Sequence, residues 1–346
     1  SKSEKMNSKE MKSPMISVVI RSYNRLNHVL EIVQVCCTQT YENFEVVILD
    51  QSSDNHFKEY SPELNKLDSR FRVVHREPLG GTGARNYGVA YSNGEIILFM
   101  DDDDIPIGNN WIADHARNYN DPNCIGVSGR HIRDINEIVR YPDIEKAYRR
   151  CLTVSALIRG RVFTGINKVK VGVDWLHGNN SSMRRETIIN LGGWYPHVKS
   201  DHEEHSLYFK FHKKKKSGQY LKFDPAPVVL RRFDIAGGAE RRTISMRLLL
   251  DHRLRFCHWV IGEEYPIRFY IFYPFFMIYS FQIAALHMIN GSSFIDSIWI
   301  KKLGLKWGKR IYVAQELLLF PLMIIKYLII KRPTWDGDIK ALIKKD

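Results

Sequence analysis

Four short, continuous apolar runs stand out in the first hundred positions of the chain. They are Ile16–Ile20, Phe44–Leu49, Phe71–His75 and Glu95–Met100. Runs of this length rich in β-branched residues are typical of strands that are buried on both faces. The segments that separate them are Leu26–Thr40, which has helical apolar spacing, Glu59–Leu67 and Gly83–Tyr91. Strands that alternate with helices predict a Rossmann-like α/β domain with a mostly parallel sheet, in which ligands bind beyond the carboxyl ends of the strands.

The C-terminal third has a different pattern. From Phe269 to Ile295 the only ionisable side chains are tyrosines and His287. A second apolar stretch, Ile311–Ile330, is interrupted by Glu316, Pro321 and Lys326, and Lys and Arg residues flank it. We expect a mainly helical, apolar and basic region that associates with an anionic membrane surface. A buried pair of core helices is the alternative interpretation.

These changes of pattern divide the chain into three parts. We predict a flexible basic tail over residues 1–14, an α/β domain over 15–235 and the helical C-terminal region over 236–346, which we expect to be membrane-associating. No apolar run typical of a signal peptide occurs between Ser1 and Pro14, so this segment is not predicted to be a signal peptide.

The charge balance points to an anionic partner. The 346 residues include 51 Lys+Arg and 38 Asp+Glu, which gives a net charge of +13. Nucleic acid, an acidic membrane and phosphorylated substrates all qualify, but the basic residues match no nucleic-acid-binding motif, so we expect no nucleic acid. The five cysteines form no C-x-x-C pair and show no zinc spacing. Reduced thiols in a cytosol-facing protein are therefore expected.

Asp101 to Asp104 carry the strongest chemical signal, because four carboxylates directly follow an apolar strand. Like charges at this density repel each other. Mg²⁺ or Mn²⁺ would relieve that repulsion, since both prefer hard oxygen ligands. A solvated acidic loop is the alternative, but the position at the end of a buried strand favours a metal site.

Polar clusters follow two other strands. Ser22, Tyr23 and Asn24 come after the first, and Asp50, whose carboxylate can accept hydrogen bonds from a base or ribose, ends the second. Ordinary turn and N-cap chemistry would also account for both clusters. The Gly-rich segment from Gly80 to Asn86 precedes a predicted helix and is not a Walker loop. It is either a plain turn or a close approach to a nucleotide, with Arg85 contributing charge.

The segment Asp201-His202-Glu203-Glu204-His205 is the candidate for acid–base chemistry. Its two histidines are three positions apart, so it is not the H-E-x-x-H metal motif. Adjacent carboxylates suit one general base and one positioning group. Acidic residues that complement a helix dipole are the alternative.

In their order along the chain, these motifs resemble the inverting glycosyltransferases of family 2, which have the GT-A fold. The matching segments include ISVVIRSYNR, VVILDQSSD, GGTGARNYGVAYSNGEIILFMDDDD and HGNNSSMRRETIINLGGW. The resemblance covers about Met15 to Phe211. It implies that Asp101 and Asp103 bind Mn²⁺ or Mg²⁺. It also implies a nucleotide site formed by Ser22, Tyr23, Asn24, Asp50, Arg85, Asp101 and Asp102.

The resemblance also implies a catalytic base. The family's E-D-x-D-L-x-x-R element aligns Glu204 with the base, while a shifted register would use Glu203 or Asp201. The chain departs from the family pattern at Arg21, where a Pro is usual. The candidates for acceptor or leaving-group contacts are Asn179, Trp194, Arg241 and Arg242, although a solvated basic loop would equally explain the two arginines. The Q-x-x-R-W element of processive synthases is absent, which favours addition of a single sugar.

The resemblance implies transfer of one sugar, with inversion, from a nucleotide sugar to a hydroxyl of a glycan or lipid-linked acceptor. A UDP-sugar is the expected donor, and synthesis of cell-surface polysaccharide or glycolipid is the expected role. We expect the enzyme at the cytoplasmic face of a membrane, as a peripheral or hairpin-anchored protein, and otherwise in the cytoplasm. A sugar nucleotidyltransferase and a non-catalytic, membrane-associated nucleotide-sugar-binding protein are the alternatives.

Overall fold

A computed structural model describes residues 13–138, 148–149, 161–162, 167–195, 205–232, 245–290, 298–331 and 339–343. The α/β part begins with β1 (Ile16–Ser22), α1 (Leu26–Cys37), β2 (Phe44–Asp50), α2 (Asp54–Leu64), β3 (Phe71–His75), α3 (Gly80–Ala90), β4 (Ile96–Asp101) and β5 (Asp104–Pro106). It continues with α4 (Trp111–Ala116), β6 (Cys124–Ile132), β7 (Tyr148–Arg149), β8 (Arg161–Val162), β9 (Lys170–Val171), β10 (Ser181–Arg184), α5 (Arg185–Leu191), α6 (His205–Lys214) and β11 (Tyr220–Arg231).

The main sheet is mixed but mostly parallel, as the sequence predicts. Its strand order is β3-β2-β1-β4-β10-β6-β11-β5, and β9 pairs with β11. The four N-terminal strands run parallel to one another, whereas β10 is antiparallel to both of its neighbours. The expected Rossmann-like architecture is therefore confirmed. It brings the carboxyl ends of β1, β2 and β4 to one edge of the sheet, where Ser22, Asp50 and Asp101 lie.

Helices cover both faces of this sheet. Along β1, Val18 packs into a core with α1 and α4, and Val19 packs into a second core with α3, α5 and α6. Both side chains are fully buried, as the continuous apolar runs predict for strands covered on two faces.

The C-terminal region is helical. It contains α7 (Met246–Phe256), a π-helical turn (Cys257–Ile261), α8 (Gly262–Glu264), α9 (Pro266–Ile271), α10 (Tyr273–Asn290), α11 (Ile298–Ile329) and α12 (Ile339–Ile343). The expected boundary at residue 235 lies outside the described residues. Phe209 of α6 packs with Phe256 and Tyr265 in a third core, so these helices are joined to the α/β part by buried contacts. The last helix returns to the sheet, where Ile339 is fully buried in the second core.

The charges that interrupt the second apolar stretch lie against α7. Glu316 is buried and forms an ion pair with Arg247 at 3.2 Å, and Lys326 pairs with Asp251 at 3.0 Å. These pairs leave other faces of the helices apolar. The exposed large apolar side chains of α10 and α11 include Phe275, Ile278, Leu286, Ile289, Leu317, Leu318, Leu322, Ile325, Leu328 and Ile329.

One helix in the described part of the chain has the length and composition to cross a bilayer, namely Lys302–Ile329 within α11. The sequence instead favours Phe269–Ile295 as the main membrane-contacting stretch. That stretch is divided near Phe272 between α9 and α10. Pro274 lies in the first turn of α10, where the missing amide hydrogen of a proline costs no helical hydrogen bond.

Candidate functional site

Strand register brings the predicted nucleotide-binding residues together. Ser22, the last residue of β1, is paired with Asp50 at the end of β2, and Arg21 is paired with Asp101 at the end of β4. These three strand ends lie side by side, at the sheet edge where ligands bind in open α/β folds.

Asp50 is fully buried and held by two neighbours. The Ser52 hydroxyl donates to its Oδ1, and the ring Nδ1 of His75 lies 2.7 Å from its Oδ2. Burial of His75 opposes its charged form, but hydrogen bonds with Asp50 and Asp54 outweigh burial and raise the pKa of the ring. The base contact expected of Asp50 stays a prediction. His75, which stacks on Phe57 at 4.1 Å, is a neighbour that the sequence did not reveal.

The turn after β1 links the first strand to the acidic segment. The Tyr23 amide donates to Asp102 Oδ2 at 3.3 Å, and the residue as a whole is 53% exposed. Asn24 adopts a left-handed backbone with φ of 55° and accepts from the Ser53 amide at 2.9 Å. The nucleotide contact that the family resemblance implies for Tyr23 stays a prediction.

Arginines hold two of the four clustered carboxylates. Arg21 binds Asp101 Oδ1 through Nε at 2.9 Å and through a second guanidinium nitrogen. Arg25 Nη1 donates to Asp102 Oδ1 at 2.8 Å and lies 3.9 Å from Asp103. The repulsion on which the metal prediction was based is therefore partly relieved by the chain's own cations.

The arginines do not fully compensate the negative charge of the acidic cluster, and the pKa values of its carboxylates show this. Burial, opposed by Arg25, raises the pKa of Asp102 to about 6, and burial together with Asp103 raises the pKa of Asp104 to about 7. For Asp101, burial is outweighed by Arg21 and Arg85, and the pKa falls. A divalent cation would favour the ionised carboxylates, because its charge opposes the penalty of burial.

The donor chemistry of the acidic segment suits Mn²⁺ or Mg²⁺, but the ligands are not gathered into a complete set. Within the described ranges, no three His, Cys, Asp or Glu side chains converge as metal ligands. Two protein carboxylates together with substrate phosphates form a common Mg²⁺ arrangement. Asp101 and Asp103 therefore fit such an ion, and metal binding by them stays a prediction.

Asp104 belongs to a buried polar row that includes Asn179. The Asn179 amide donates to Asp104 Oδ2, and its Oδ1 lies 3.0 Å from His131 Nε2 and 2.6 Å from His177 Nδ1. Oδ1 of Asp104 is buried, and no hydrogen-bond partner for it occurs in the described part of the chain. The sequence singled out Asn179 but not the two histidines. The position of His131 near the end of β6 is the signal that could have identified it.

Arg85 and Trp194 lie close together, and Gly178 lies beside Arg85. Arg85 is buried on α3 and donates to the Gly178 carbonyl at 3.1 Å, with its guanidinium carbon 5.9 Å from the Trp194 ring centre. A Cβ at Gly178 would stand 2.7 Å from Arg85 Nη2, so any other residue there would require the guanidinium of Arg85 to shift. The Gly-rich segment is not a turn before the helix, because α3 begins at Gly80 itself.

Apart from His205, the expected catalytic segment lies outside the described residues, including Glu203, Glu204 and Asp201, as do Arg241 and Arg242. The residues on either side of that segment are described. Tyr195 precedes it, and its hydroxyl donates to Glu263 at 3.0 Å. His205, its last residue, is described at the start of α6, and Lys210 of that helix donates to the Gly193 carbonyl at 2.6 Å.

The chain is similar in sequence to known glycosyltransferases. The family model described as glycosyl transferase family 2 matches residues 17–192. Glycosyltransferase GlyG of Streptococcus pneumoniae is 37% identical over 94 residues, which are 27% of this chain and 31% of that protein. The Escherichia coli protein named UDP-Glc:alpha-D-GlcNAc-diphosphoundecaprenol beta-1,3-glucosyltransferase WfgD is 36% identical over 102 residues, 29% of this chain and 37% of that protein. The matched part therefore spans about a third of each relative.

Solved structures share the fold. The crystal structure of S. aureus TarS 1–349 in complex with UDP-GlcNAc matches with a TM-score of 0.50 and 14% identity, covering 96% of this chain and 91% of that chain. GalNAc-T7 with UDP, GalNAc and Mn²⁺ matches with a TM-score of 0.50 and 17% identity, covering 71% of this chain and 49% of that chain. At these identities the likeness shows the fold alone.

Proposed function

The chain belongs to glycosyl transferase family 2, and from that premise we propose that this glycosyltransferase moves one sugar from a nucleotide sugar to an acceptor hydroxyl in a metal-dependent reaction. The convergence of Asp50, Arg85 and the acidic segment at one sheet edge carries this proposal. These groups offer a carboxylate for a base or ribose, positive charge near a diphosphate and hard oxygens for a cation.

The reaction is an inverting displacement. Glu204 removes the acceptor proton as the hydroxyl oxygen attacks the anomeric carbon, and the nucleoside diphosphate departs. Asp101 and Asp103 would hold a Mn²⁺ or Mg²⁺ ion, whose positive charge would stabilise the leaving diphosphate. Asn179 and Trp194 line the acceptor side, and Tyr23 and Asn24 line the nucleotide side.

A UDP-sugar donor and a lipid-linked acceptor are supported by one relative. WfgD is named for transfer from UDP-Glc to a diphosphoundecaprenol-linked sugar. We extend that chemistry to this chain, with a role in polysaccharide or glycolipid synthesis. The net charge of +13 favours an anionic partner, and the phosphates of such an acceptor supply that negative charge.

The C-terminal helices support the further proposal that the enzyme associates with the cytoplasmic face of a membrane. On α11 the exposed residues Leu318, Leu322, Ile325 and Ile329 recur at spacings of three and four, which places them on one helix face. Phe320 and Tyr327 are buried in the third core. The ion pairs that α11 forms with α7 favour a position on the bilayer surface over a spanning one in this proposal. Trp307, 59% exposed, is suited to the membrane interface.

Incubation with nucleotide sugars, Mn²⁺ and no acceptor tests the reaction class. Slow release of free nucleoside diphosphate is expected of a glycosyltransferase, whereas exchange of pyrophosphate would indicate nucleotidyl transfer. A panel of UDP-, GDP- and dTDP-sugars, followed by thermal shift, identifies the base, since a bound ligand raises the Tm. Release from none of them would contradict the proposal.

A further inference from the structure

His75 is held on three sides at the carboxyl end of β3. Its Nδ1 lies 2.7 Å from Oδ2 of Asp50, and its Nε2 lies 3.2 Å from Oδ1 of Asp54. One face of the ring stacks on Phe57, with 4.1 Å between the ring centres and 12° between the planes. The side chain is still 23% exposed. Because both nitrogens and one face are already in contact, this exposed surface belongs to the other face and the carbon edges of the ring.

The two carboxylates also favour a charged ring. An ionised carboxylate accepts hydrogen bonds but cannot donate them, so a ring with a carboxylate at each nitrogen makes both bonds only as an imidazolium. A flat cationic ring with an open face attracts the π-face of an aromatic ligand, by stacking and by the cation–π interaction. Aromatic side chains, histidine among them, bind nucleobases in this way.

Strand register places this ring at the nucleoside end of the proposed donor site. Asp50 is paired with His75 on β3 and with Ser22 on β1, so the three residues form one row across the strand ends. Asp101 ends β4, on the other side of β1. Three steps between strands separate His75 from Asp101, a distance of about 14 Å. An extended nucleoside diphosphate bridges such a distance, so phosphates bound near Asp101 would leave the base near His75.

We infer that His75 is a stacking platform for the nucleobase of the donor, with Phe57 behind the ring and Asp50 holding its inner edge. This inference rests on the proposed function. It gives Asp50 a positioning role, because Asp50 has no exposed surface of its own. Every nucleobase has a π-face, so the contact adds affinity for nucleotides without selecting one base.

The test compares the full chain with His75→Asn and with the control His212→Asn. The amide nitrogen of an asparagine can reach the position of Nδ1, so the hydrogen bond to Asp50 is kept while the open ring face is lost. His212, on α6, likewise has a hydrogen bond, to a backbone carbonyl, and a ring contact, with Phe211. Calorimetry in the presence of Mn²⁺ measures binding of UDP, GDP, dTDP and inorganic pyrophosphate, which has no base. Circular dichroism checks the fold.

In His75→Asn we expect the affinity for each nucleotide that the wild type binds to fall about tenfold, with pyrophosphate affinity unchanged. The KM for the donor should rise by the same factor at constant kcat, because the base takes no part in the displacement. His212→Asn should bind all four ligands like the wild type. A second measurement uses NMR of the wild type with labelled histidines. The ring signals of His75, assigned through its contact with Phe57, should move on addition of a nucleotide but not of pyrophosphate.

The outcomes separate the two proposals. If the wild type binds a nucleotide but His75→Asn binds it equally well, or loses affinity for pyrophosphate to the same extent, stacking on His75 is wrong and the proposed function stands. If His75→Asn does not fold, the NMR measurement decides, and unmoved His75 signals contradict stacking. If the wild type binds none of the three nucleotides, both proposals are wrong.

Discussion

The side chain of Asn86 forms hydrogen bonds with both backbone polar groups of Trp194. Its Nδ2 donates to the Trp194 carbonyl, and its Oδ1 accepts from the Trp194 amide, each at 2.9 Å. Asn86 is fully buried on α3 and ends the Gly-rich segment that is predicted to approach the nucleotide. Its hydrogen bonds therefore connect that segment to Trp194, which precedes the expected base in the chain. Gly193, with φ of 64°, lies against the same side chain.

Asn86→Ala should therefore destabilise the protein. It leaves the amide and carbonyl of Trp194 without partners in a buried setting, which costs about 2–4 kcal/mol in free energy of unfolding. Urea denaturation measures the change. Asn190→Ala, at an exposed position in α5, is the control and should stay within about 0.5 kcal/mol of the wild type. Equal stabilities of the two variants would contradict the importance of this contact.

Metal dependence is tested at Asp103. Asp103→Asn removes a predicted ion ligand while keeping the size of the side chain. We expect transfer to fall by about 10²-fold or more. The Tm should not fall, because loss of this charge removes repulsion between Asp103 and its neighbours Asp101 and Asp104. Release of nucleoside diphosphate is followed against Mn²⁺ concentration, with Asp68→Asn as control. Full activity of the wild type in EDTA would show that transfer does not require a divalent metal.

The sequence predicted the strands and the edge of the sheet well, because continuous apolar runs and polar strand ends are local signals. It did not predict the contact between Arg21 and Asp101 or the row from Asp104 through Asn179 to His131. Those pairs are separated by between 48 and 80 positions, and they depend on strand order and register. Nor could it show that Glu316 faces α7, since an apolar stretch does not reveal which face is buried.

Glu204 lies outside the described residues, and its role as base is tested by Glu204→Gln. The amide keeps the shape but cannot accept the acceptor proton. We expect kcat to fall by about 10²–10⁴-fold with donor affinity almost unchanged. Glu203→Gln and Asp201→Asn are made in parallel. If either of these causes the loss instead, the family motif aligns in a shifted register.

Stability should fall as the pH is lowered, owing to His115. Its Nδ1 lies 2.9 Å from the Ser182 hydroxyl and its Nε2 3.1 Å from Asn180 Oδ1. Burial lowers the pKa of this ring from 6.5 to about 4. Between those values the unfolded chain binds a proton that the folded chain does not, so stability rises with pH. The contribution is complete above about pH 6.5 and is lost as the pH falls toward 4.

His115→Gln keeps hydrogen-bonding groups but does not titrate. We expect its unfolding free energy to depend on pH less steeply than that of the wild type, by about 1.4 kcal/mol per pH unit between pH 6 and 5. Urea denaturation at closely spaced pH values measures both slopes. Parallel curves would show that His115 is not the group responsible.

Membrane association is tested on the exposed face of α11, because removal of the C-terminal helices would also expose Phe209 and the third core. Leu318 and Leu322 are 79% and 64% exposed, so Leu318→Glu combined with Leu322→Glu should leave the Tm unchanged. Loss of two apolar side chains from a lipid contact should weaken partition by about 10²-fold. Flotation with vesicles of phosphatidylcholine, with and without anionic lipid, measures the bound fraction.

The control is Val171→Glu, which places the same charge at an exposed valine of β9, 63% accessible, on the α/β part. It should float like the wild type. Basic residues near Trp307, among them Lys306 and Arg310, are exposed, and each should contribute about 1 kcal/mol on anionic lipid. Binding should therefore weaken with salt, and more on anionic than on neutral vesicles. If the double variant floats as well as the wild type, this face does not meet the bilayer, and its apolar residues need another partner.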